Sequence, residues 1–131
     1  MPINPDILMN KDLEKVEGSW SEERVILYNI AVGSSQDPLN KSDLEFTVGP
    51  NPKVIPSFAA CIYPMESVFS IIGSEGLEVS LTSLLHGEQK ITIHKDIPSS
   101  GKAITKARIT AVEDYRKFAS VTIESDSYMG D

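Results

Sequence analysis

The sequence predicts an α+β domain in which an antiparallel sheet wraps around one central helix. Three observations support this class. Two apolar segments with helical start and stop signals lie in the first 72 residues, a two-residue apolar period begins at Leu77, and 131 residues suit one compact core. A content of 40% hydrophobic and 24% charged residues is typical of a globular domain, and the net charge of -7 disfavours a nucleic-acid partner.

The N-terminal segment, residues 1–18, combines prolines and mixed charges without sustained periodicity. This pattern predicts an extended lead-in that carries no site. The following residues, 19–131, are predicted to form the folded domain.

The first helix is predicted from a capping-box spacing and a long apolar run. Ser19 precedes Glu22 by three residues, and the apolar residues of 25–32 follow. Because the run is apolar nearly all round, we expect the helix to be buried against a sheet or a second subunit. Tyr28 and Asn29 lie within it and would need polar partners.

Gly33 ends this helix and opens a polar loop to Asp43, after which apolar and polar residues alternate over 44–48. The alternation predicts a short strand, closed by the prolines of 49–52. A central helix is then predicted over 56–72. Pro64 interrupts it and should produce a kink or two short helices.

The C-terminal half predicts three consecutive antiparallel strands. Residues 77–95 alternate with period two, a turn follows at 98–101, and two further strands are predicted over 102–112 and 118–124 around the polar loop 113–117. Helices followed by three consecutive antiparallel strands are the order expected for a curved sheet around one helix.

Several classes of protein are disfavoured by what the sequence lacks. No apolar run approaches the ~18 residues of a spanning helix, and the first residues do not resemble a secretory signal. Cys61 is the only cysteine, so we expect a buried, inert thiol, and together with His86 and His94 it lacks the spacing of a zinc site. No glycine-rich phosphate loop is present.

Several short motifs resemble a known family. The motifs that show the resemblance are Tyr-Asn-Ile-Ala-Val-Gly at 28–33 and Val-Ile-Pro-Ser-Phe at 54–58. The most specific one is Leu-Leu-His-Gly-Glu-Gln at 84–89, followed by Pro98 and Gly101-Lys102. Over roughly residues 19–128 they resemble the N-terminal half of 2-enoyl-CoA hydratase 2, the MaoC-like, hot-dog-fold hydratase of the peroxisomal multifunctional enzyme of fatty-acid β-oxidation.

The resemblance implies that the working enzyme consists of two hot-dog repeats. The C-terminal repeat would carry the catalytic Gly-Asp-x-Asn-Pro-x-His motif, which this chain lacks; its nearest string, 36–40, has the wrong order and no histidine. No catalytic residue is therefore assigned here, and the chain resembles an N-terminal repeat that is incomplete at its C-terminus.

The same resemblance implies the molecule's partners. These are an acyl-CoA substrate, the C-terminal catalytic repeat in cis or in trans, and a second copy in a homodimer of the full enzyme. Coenzyme A would enter only as part of the substrate, with no further cofactor or metal. The implied location is the peroxisome, with the cytoplasm as the alternative.

The candidate substrate-binding residues are His86, Gly87 and Lys117. The resemblance places the His-Gly pair on the acyl-CoA contact surface and a lysine near position 117, where Arg116 adjoins it. Physically, a glycine permits close approach of a ligand and an imidazole can donate to a thioester or phosphate oxygen. The competing interpretation is that Gly87 forms a bulge and His86 only ends a strand. Lys106 and Arg108 are further candidates for phosphate contact.

Two alternative functions remain open on the sequence alone. A stand-alone hot-dog thioesterase would need a carboxylate such as Glu66 to activate water. A non-enzymatic acyl-CoA-binding or protein-binding module would need no catalytic group.

Overall fold

The architecture is α+β, as predicted, and agrees with a hot-dog domain. The computed structural model describes residues 3–63 and 69–130. In the described residues, no helix is long and apolar enough to cross a bilayer. The elements in chain order are α1 (Pro5–Met9), β1 (Val16–Trp20), α2 (Glu22–Ala31), α3 (Lys41–Leu44), two 3₁₀ helices (Pro56–Cys61 and Leu81–Ser83), β2 (Gly101–Asp114) and β3 (Ala119–Met129).

The sheet has the order β1-β2-β3, with the long strand β2 in the middle. Thr105 Oγ1 lies 2.7 Å from Ser127 Oγ, and Thr110 Oγ1 donates to the carbonyl oxygen of Thr122 at 3.4 Å. Since the partners run in opposite directions along the chain, β2 and β3 are antiparallel. The two predicted C-terminal strands are confirmed, and both extend beyond their predicted ends.

The chain divides into two compact units, each with its own core. The first contains the described residues of Met1–Glu17, Tyr63–Gln89 and Ile104–Tyr128. Its core consists of the buried side chains Leu8, Ile71, Leu77 and Ile109. The inward residues of β2 are small or β-branched and alternate with exposed ones, as expected for a strand with one covered face.

The predicted extended lead-in is wrong for residues 5–9, which form α1. The side-chain oxygen of Asn4 accepts hydrogen bonds from the backbone N–H groups of Asp6 and Ile7, and Pro5 occupies the first helical turn. Leu8 is completely buried in the core of the first unit, so this short helix is packed. The last lead-in residues also belong to β1.

The second unit contains Gly18–Ile62, Lys90–Ala103 and the described residues after Tyr128. Phe58 is fully buried at its centre and meets two aromatic rings edge to face, with centroid distances of 6.4 Å to Trp20 and 5.4 Å to Tyr28. The indole N–H of Trp20 donates to the carbonyl oxygen of Pro98 at 2.8 Å. These contacts join β1, α2 and the 3₁₀ helix Pro56–Cys61 into one core.

The first predicted helix is confirmed as α2, but its cap is Ser21 and not Ser19. The Ser21 hydroxyl accepts from the N–H of Arg24, and Gly33 follows the helix with a φ of +98°. Val25 and Asn29 of α2 are buried, whereas Leu27 and Ile30 are more than half exposed, so burial of that face against a second subunit stays a prediction.

The predicted strand over 44–48 is wrong. Asn40 caps the short helix α3, and the N–H of Val48 donates to the carbonyl oxygen of Leu44 at 2.9 Å, as in a helical turn. An apolar alternation over five residues does not exclude helical turns, and here the local cap decided the structure.

The predicted central helix begins at Pro56, as a 3₁₀ helix that ends at Cys61. The predicted kink at Pro64 lies outside the described residues. Cys61 is only half-buried, so the expectation of a buried thiol is not met.

The predicted strand over 77–95 is wrong. Leu77 makes one antiparallel bridge with Ile3, and Leu81–Ser83 form a 3₁₀ helix whose cap, the Ser80 hydroxyl, accepts from the N–H of Thr82. Residues 84–95 form neither strand nor helix. Local side-chain bonding of this kind competes with strand pairing.

Candidate functional site

The His-Gly pair lies in an exposed segment of the first unit. Its neighbour Leu85 is 91% exposed, and a Cβ added at Gly87 would have no atom within 4 Å. Gly87 therefore offers open backbone to a ligand, but neither a bulge nor a strand start is present at this position.

The hydrogen bond of His86 determines what its ring can offer. Its Nε2 lies 3.1 Å from the carbonyl oxygen of Glu88. Because a carbonyl oxygen only accepts, Nε2 carries the proton, and Nδ1 of the neutral ring is an acceptor. The neutral imidazole therefore suits an amide N–H of a ligand, whereas donation to a thioester or phosphate oxygen requires the protonated ring.

Lys117 lies in the tight turn that joins β2 to β3. Tyr115 and Phe118 close this turn by a backbone hydrogen bond of 2.9 Å, and their rings stack at 4.9 Å. Arg116 has a φ of +68°, and its N–H donates to Asp114 Oδ1 at 2.7 Å. The turn thus holds two exposed cationic side chains, Arg116 and Lys117, next to each other, and its backbone is fixed by these hydrogen bonds.

A carboxylate next to the turn holds the hydroxyl of Tyr115. The hydroxyl of Tyr115 donates to Glu113 Oε2 at 3.0 Å, and this hydrogen bond, followed by the charge of that carboxylate, raises the pKa of Tyr115. Tyr115 consequently stays neutral to a higher pH than an ordinary tyrosine.

Arg108 is not a free phosphate ligand. Its guanidinium pairs with Glu124 and Asp126 across the hairpin, and the hydrogen bond that it donates to Asp126 is the leading reason that the pKa of Arg108 is raised. The candidate role of Arg108 in phosphate contact is therefore not supported, whereas Lys106 is exposed on the same strand.

Among the described residues, no hydrogen bond or ion pair connects His86 or Gly87 with Lys117. Glu66, the carboxylate that a thioesterase would need, lies outside the described ranges. In the same described part of the chain, no group of three or more His, Cys, Asp or Glu side chains could hold a metal ion.

Sequence reasoning missed a hollow of about 510 Å³ in the second unit. Two stretches of chain line it, one that follows α3 and one that precedes β2. The lining side chains are Phe46, Asn51, Pro52, Lys53, Val54, Pro56, Ile93, Asp96 and Ile97. The prolines at 50, 52 and 56 were the available signal, since proline fixes φ and has no N–H to donate to a helix or a sheet.

Asn29 holds the wall of this hollow in place. The side chain is fully buried, and its Nδ2 donates to the carbonyl oxygens of Phe46 at 2.7 Å and Lys53 at 2.8 Å. The sequence-based expectation that Asn29 needs polar partners is confirmed for its nitrogen. Its Oδ1 is buried without a hydrogen-bond partner among the described residues.

The Asn29→Ala variant is expected to lose roughly 2–4 kcal/mol of unfolding free energy, because two carbonyl oxygens lose their donor. Urea unfolding followed by circular dichroism measures this. The control is Asn10→Ala, which removes one exposed side-chain hydrogen bond to the carbonyl of Asp6. Equal stability losses in the two variants would contradict the role of Asn29.

Comparison with known proteins agrees with the motifs. Residues 19–131 match the family model described as the MFE-2 hydratase 2 N-terminal domain. Relatives include enoyl-CoA hydratase ChsH3 of Mycobacterium tuberculosis, 28% identical over 95% of this chain and 44% of that protein. Peroxisomal enoyl-CoA hydratase 2 of Arabidopsis thaliana is 28% identical over 96% of this chain and 42% of its own length.

A third relative places the same region inside a larger protein. Peroxisomal multifunctional enzyme type 2 of Mus musculus is 26% identical over 90% of this chain, which corresponds to 16% of the mouse protein. The chain thus spans less than half the length of each of these three relatives.

Proposed function

Since this chain belongs to the family of MFE-2 hydratase 2 N-terminal domains, we propose that it is the substrate-accommodating half of a (3R)-specific trans-2-enoyl-CoA hydratase of fatty-acid β-oxidation. The observation that carries the proposal is the family match over 19–131 in a chain without the Asp and His motif of the catalytic repeat. The relatives' names, hydratase and dehydratase, favour this over a thioesterase or a non-enzymatic binding module.

The reaction adds water across the double bond of an enoyl thioester. The proton transfers would be performed by an Asp and a His of a C-terminal repeat, in cis or in trans, and this half would hold the acyl-CoA. Coenzyme A enters as part of the substrate, and no other cofactor is part of the proposal. The proposal also includes that the full enzyme is a homodimer.

The proposed location is the peroxisome. Two relatives carry that location in their names, the hydratase of Arabidopsis and the multifunctional enzyme of mouse. The alternative, the cytoplasm, would be recognised by fluorescence microscopy of the tagged full protein against a peroxisomal marker.

Exposed apolar side chains support a missing partner for this half. Leu27, Ile30, Leu39, Leu84 and Leu85 are among the exposed large hydrophobic residues. Leu27 and Ile30 lie three residues apart on α2 and so expose adjacent apolar side chains, which a second repeat or subunit would cover.

The test of the site is His86→Ala in the complete enzyme. We expect the Michaelis constant for an enoyl-CoA to rise about threefold to tenfold, which corresponds to one lost hydrogen bond, with little change in turnover. Steady-state kinetics gives both values. The control is His94→Ala, which removes the other, likewise exposed histidine. A large loss of turnover at an unchanged Michaelis constant would overturn the assignment of His86 to binding.

A further inference from the structure

We propose that the N-terminal arm, residues 3–11, is a positioning element of the substrate site: it holds the segment that carries His86 and Gly87 in the conformation that binds the thioester. This inference rests on the proposed function. The arm lies outside the residues that match the family model, 19–131, and none of the sequence motifs for the site includes it.

The beginning of the arm pairs with the turn that precedes this segment. The N–H of Asn4 donates to the carbonyl oxygen of Gly76 at 2.9 Å, and Ile3 forms an antiparallel bridge with Leu77. Because these contacts are made by the backbone, they fix the register between the arm and the turn.

The end of the arm is held by Lys11. Its Nζ donates to Ser74 Oγ at 2.6 Å and to the carbonyl oxygen of Glu75 at 3.3 Å, across 63 and 64 positions of the chain. Ser74 Oγ in turn donates to the carbonyl oxygen of Ile71 at 2.6 Å. An ammonium group thus joins the arm to a side chain and to the backbone of the turn, and hydrogen bonds from such groups are among the stronger ones.

The middle of the arm is buried. Leu8 has no exposed surface and packs in one core with Leu77 of the turn and Ile109 of β2. The backbone at Gly76 approaches so closely that a Cβ at this position would lie 2.9 Å from Cγ2 of Ile7 and 3.3 Å from Cγ of Leu8. The arm and the turn are therefore in direct contact, and the arm cannot leave the turn without exposing Leu8 to water.

The segment that follows the turn has little burial of its own. Val79 is half-buried against the core of the first unit, but residues 80–90 are all exposed. Local hydrogen bonds give the segment its shape, such as the bond of 3.2 Å from the N–H of Leu84 to the carbonyl oxygen of Leu81. Since an exposed segment with few buried contacts takes its position from the place where it is anchored, the turn and the arm decide where His86 lies.

Release of the arm would lower the affinity for a thioester through the population of the binding conformation. When only a fraction of the molecules holds His86 in place, the apparent dissociation constant rises by the inverse of that fraction. A variant that loosens the arm should therefore act through His86, although it changes no residue of the site.

The experiment measures hydrogen exchange, and calorimetric binding of the unreactive saturated thioester decanoyl-CoA, in the variant Lys11→Met of this chain. The substitution keeps an unbranched side chain and removes the donor to the turn. We expect the N–H of Leu77, which donates to the carbonyl oxygen of Ser74, to exchange about tenfold faster. Exchange in β2 should stay unchanged, and decanoyl-CoA should bind about threefold to tenfold more weakly.

Further variants make the result specific. Lys11→Arg keeps a donor and should restore both exchange and affinity, whereas Lys15→Met makes the same change at an exposed lysine beyond the arm and should alter neither. Leu8→Ala releases the arm through a different contact and should also weaken decanoyl-CoA. In the His86→Ala background, Lys11→Met should weaken binding no further, because the arm acts through His86.

The outcomes separate this inference from the proposed function. If faster exchange at Leu77 leaves the affinity for decanoyl-CoA unchanged, or if the losses from Lys11→Met and His86→Ala are additive, the arm has only a structural role and this inference alone is overturned. The same conclusion follows if neither Lys11→Met nor Leu8→Ala changes the exchange of Leu77. If the unmodified chain does not bind decanoyl-CoA, the proposed function and this inference both fail.

Discussion

This chain on its own is expected to leave a trans-2-enoyl-CoA unhydrated, at the rate of the uncatalysed reaction. General acid and base groups each contribute about 10²–10⁴-fold, and the motif that would supply both is missing from the sequence. The two histidines, His86 and His94, are both exposed, so neither is placed in a site that excludes water. Binding of the thioester does not depend on the absent catalytic Asp and His and should persist.

The measurement is the loss of enoyl-thioester absorbance with trans-2-decenoyl-CoA. The reaction is followed with this chain alone, with a separately prepared C-terminal repeat, and with both together. We expect activity to appear or to increase when the two halves are mixed. Hydration by the pure chain would show that it contains catalytic residues, and the single variants His86→Ala and His94→Ala would then locate them.

Phe58→Ala is expected to lower the free energy of unfolding by about 3–5 kcal/mol, the usual cost of truncating a buried aromatic residue. The side chain is fully buried and touches Trp20 and Tyr28 edge to face, so its removal leaves a cavity and two rings without a partner. For a domain of this size such a loss is a large part of the total stability.

Denaturant unfolding followed by the fluorescence of Trp20 reports on this core directly. The matched control is Phe118→Ala, because Phe118 is 62% exposed and stacks on one ring only. Its loss should stay below about 1.5 kcal/mol. A comparable loss in both variants would mean that the core of the second unit is not centred on Phe58.

The parts of the fold that the sequence predicted correctly are those whose signal lies in consecutive residues. The β2–β3 hairpin follows from two alternating runs on either side of a polar turn, and α2 follows from an apolar run that ends before Gly33. In both cases the signal for the element is an apolar pattern in consecutive residues with a stop or turn beside it, so it is visible in the sequence.

The incorrect predictions concern segments whose partners are distant or whose caps are local and inconspicuous. Alternation over 77–95 predicts a strand only if another strand pairs with it, and the bridge of Leu77 goes to Ile3, 74 residues earlier. Conversely, an asparagine caps each of α1 and α3, where an extended lead-in and a polar loop followed by a short strand were predicted.

The sequence by itself determined the fold class and the family. It also proposed the candidate contacts His86, Gly87 and Lys117, and these three stay predictions. Only the tertiary structure decided that Arg108 is neutralised by β3 and that Asn29 ties Phe46 and Lys53 around a hollow. The physical reason is the distance along the chain: these hydrogen bonds join residues 16 to 24 positions apart, and no local propensity records which donor will meet which acceptor.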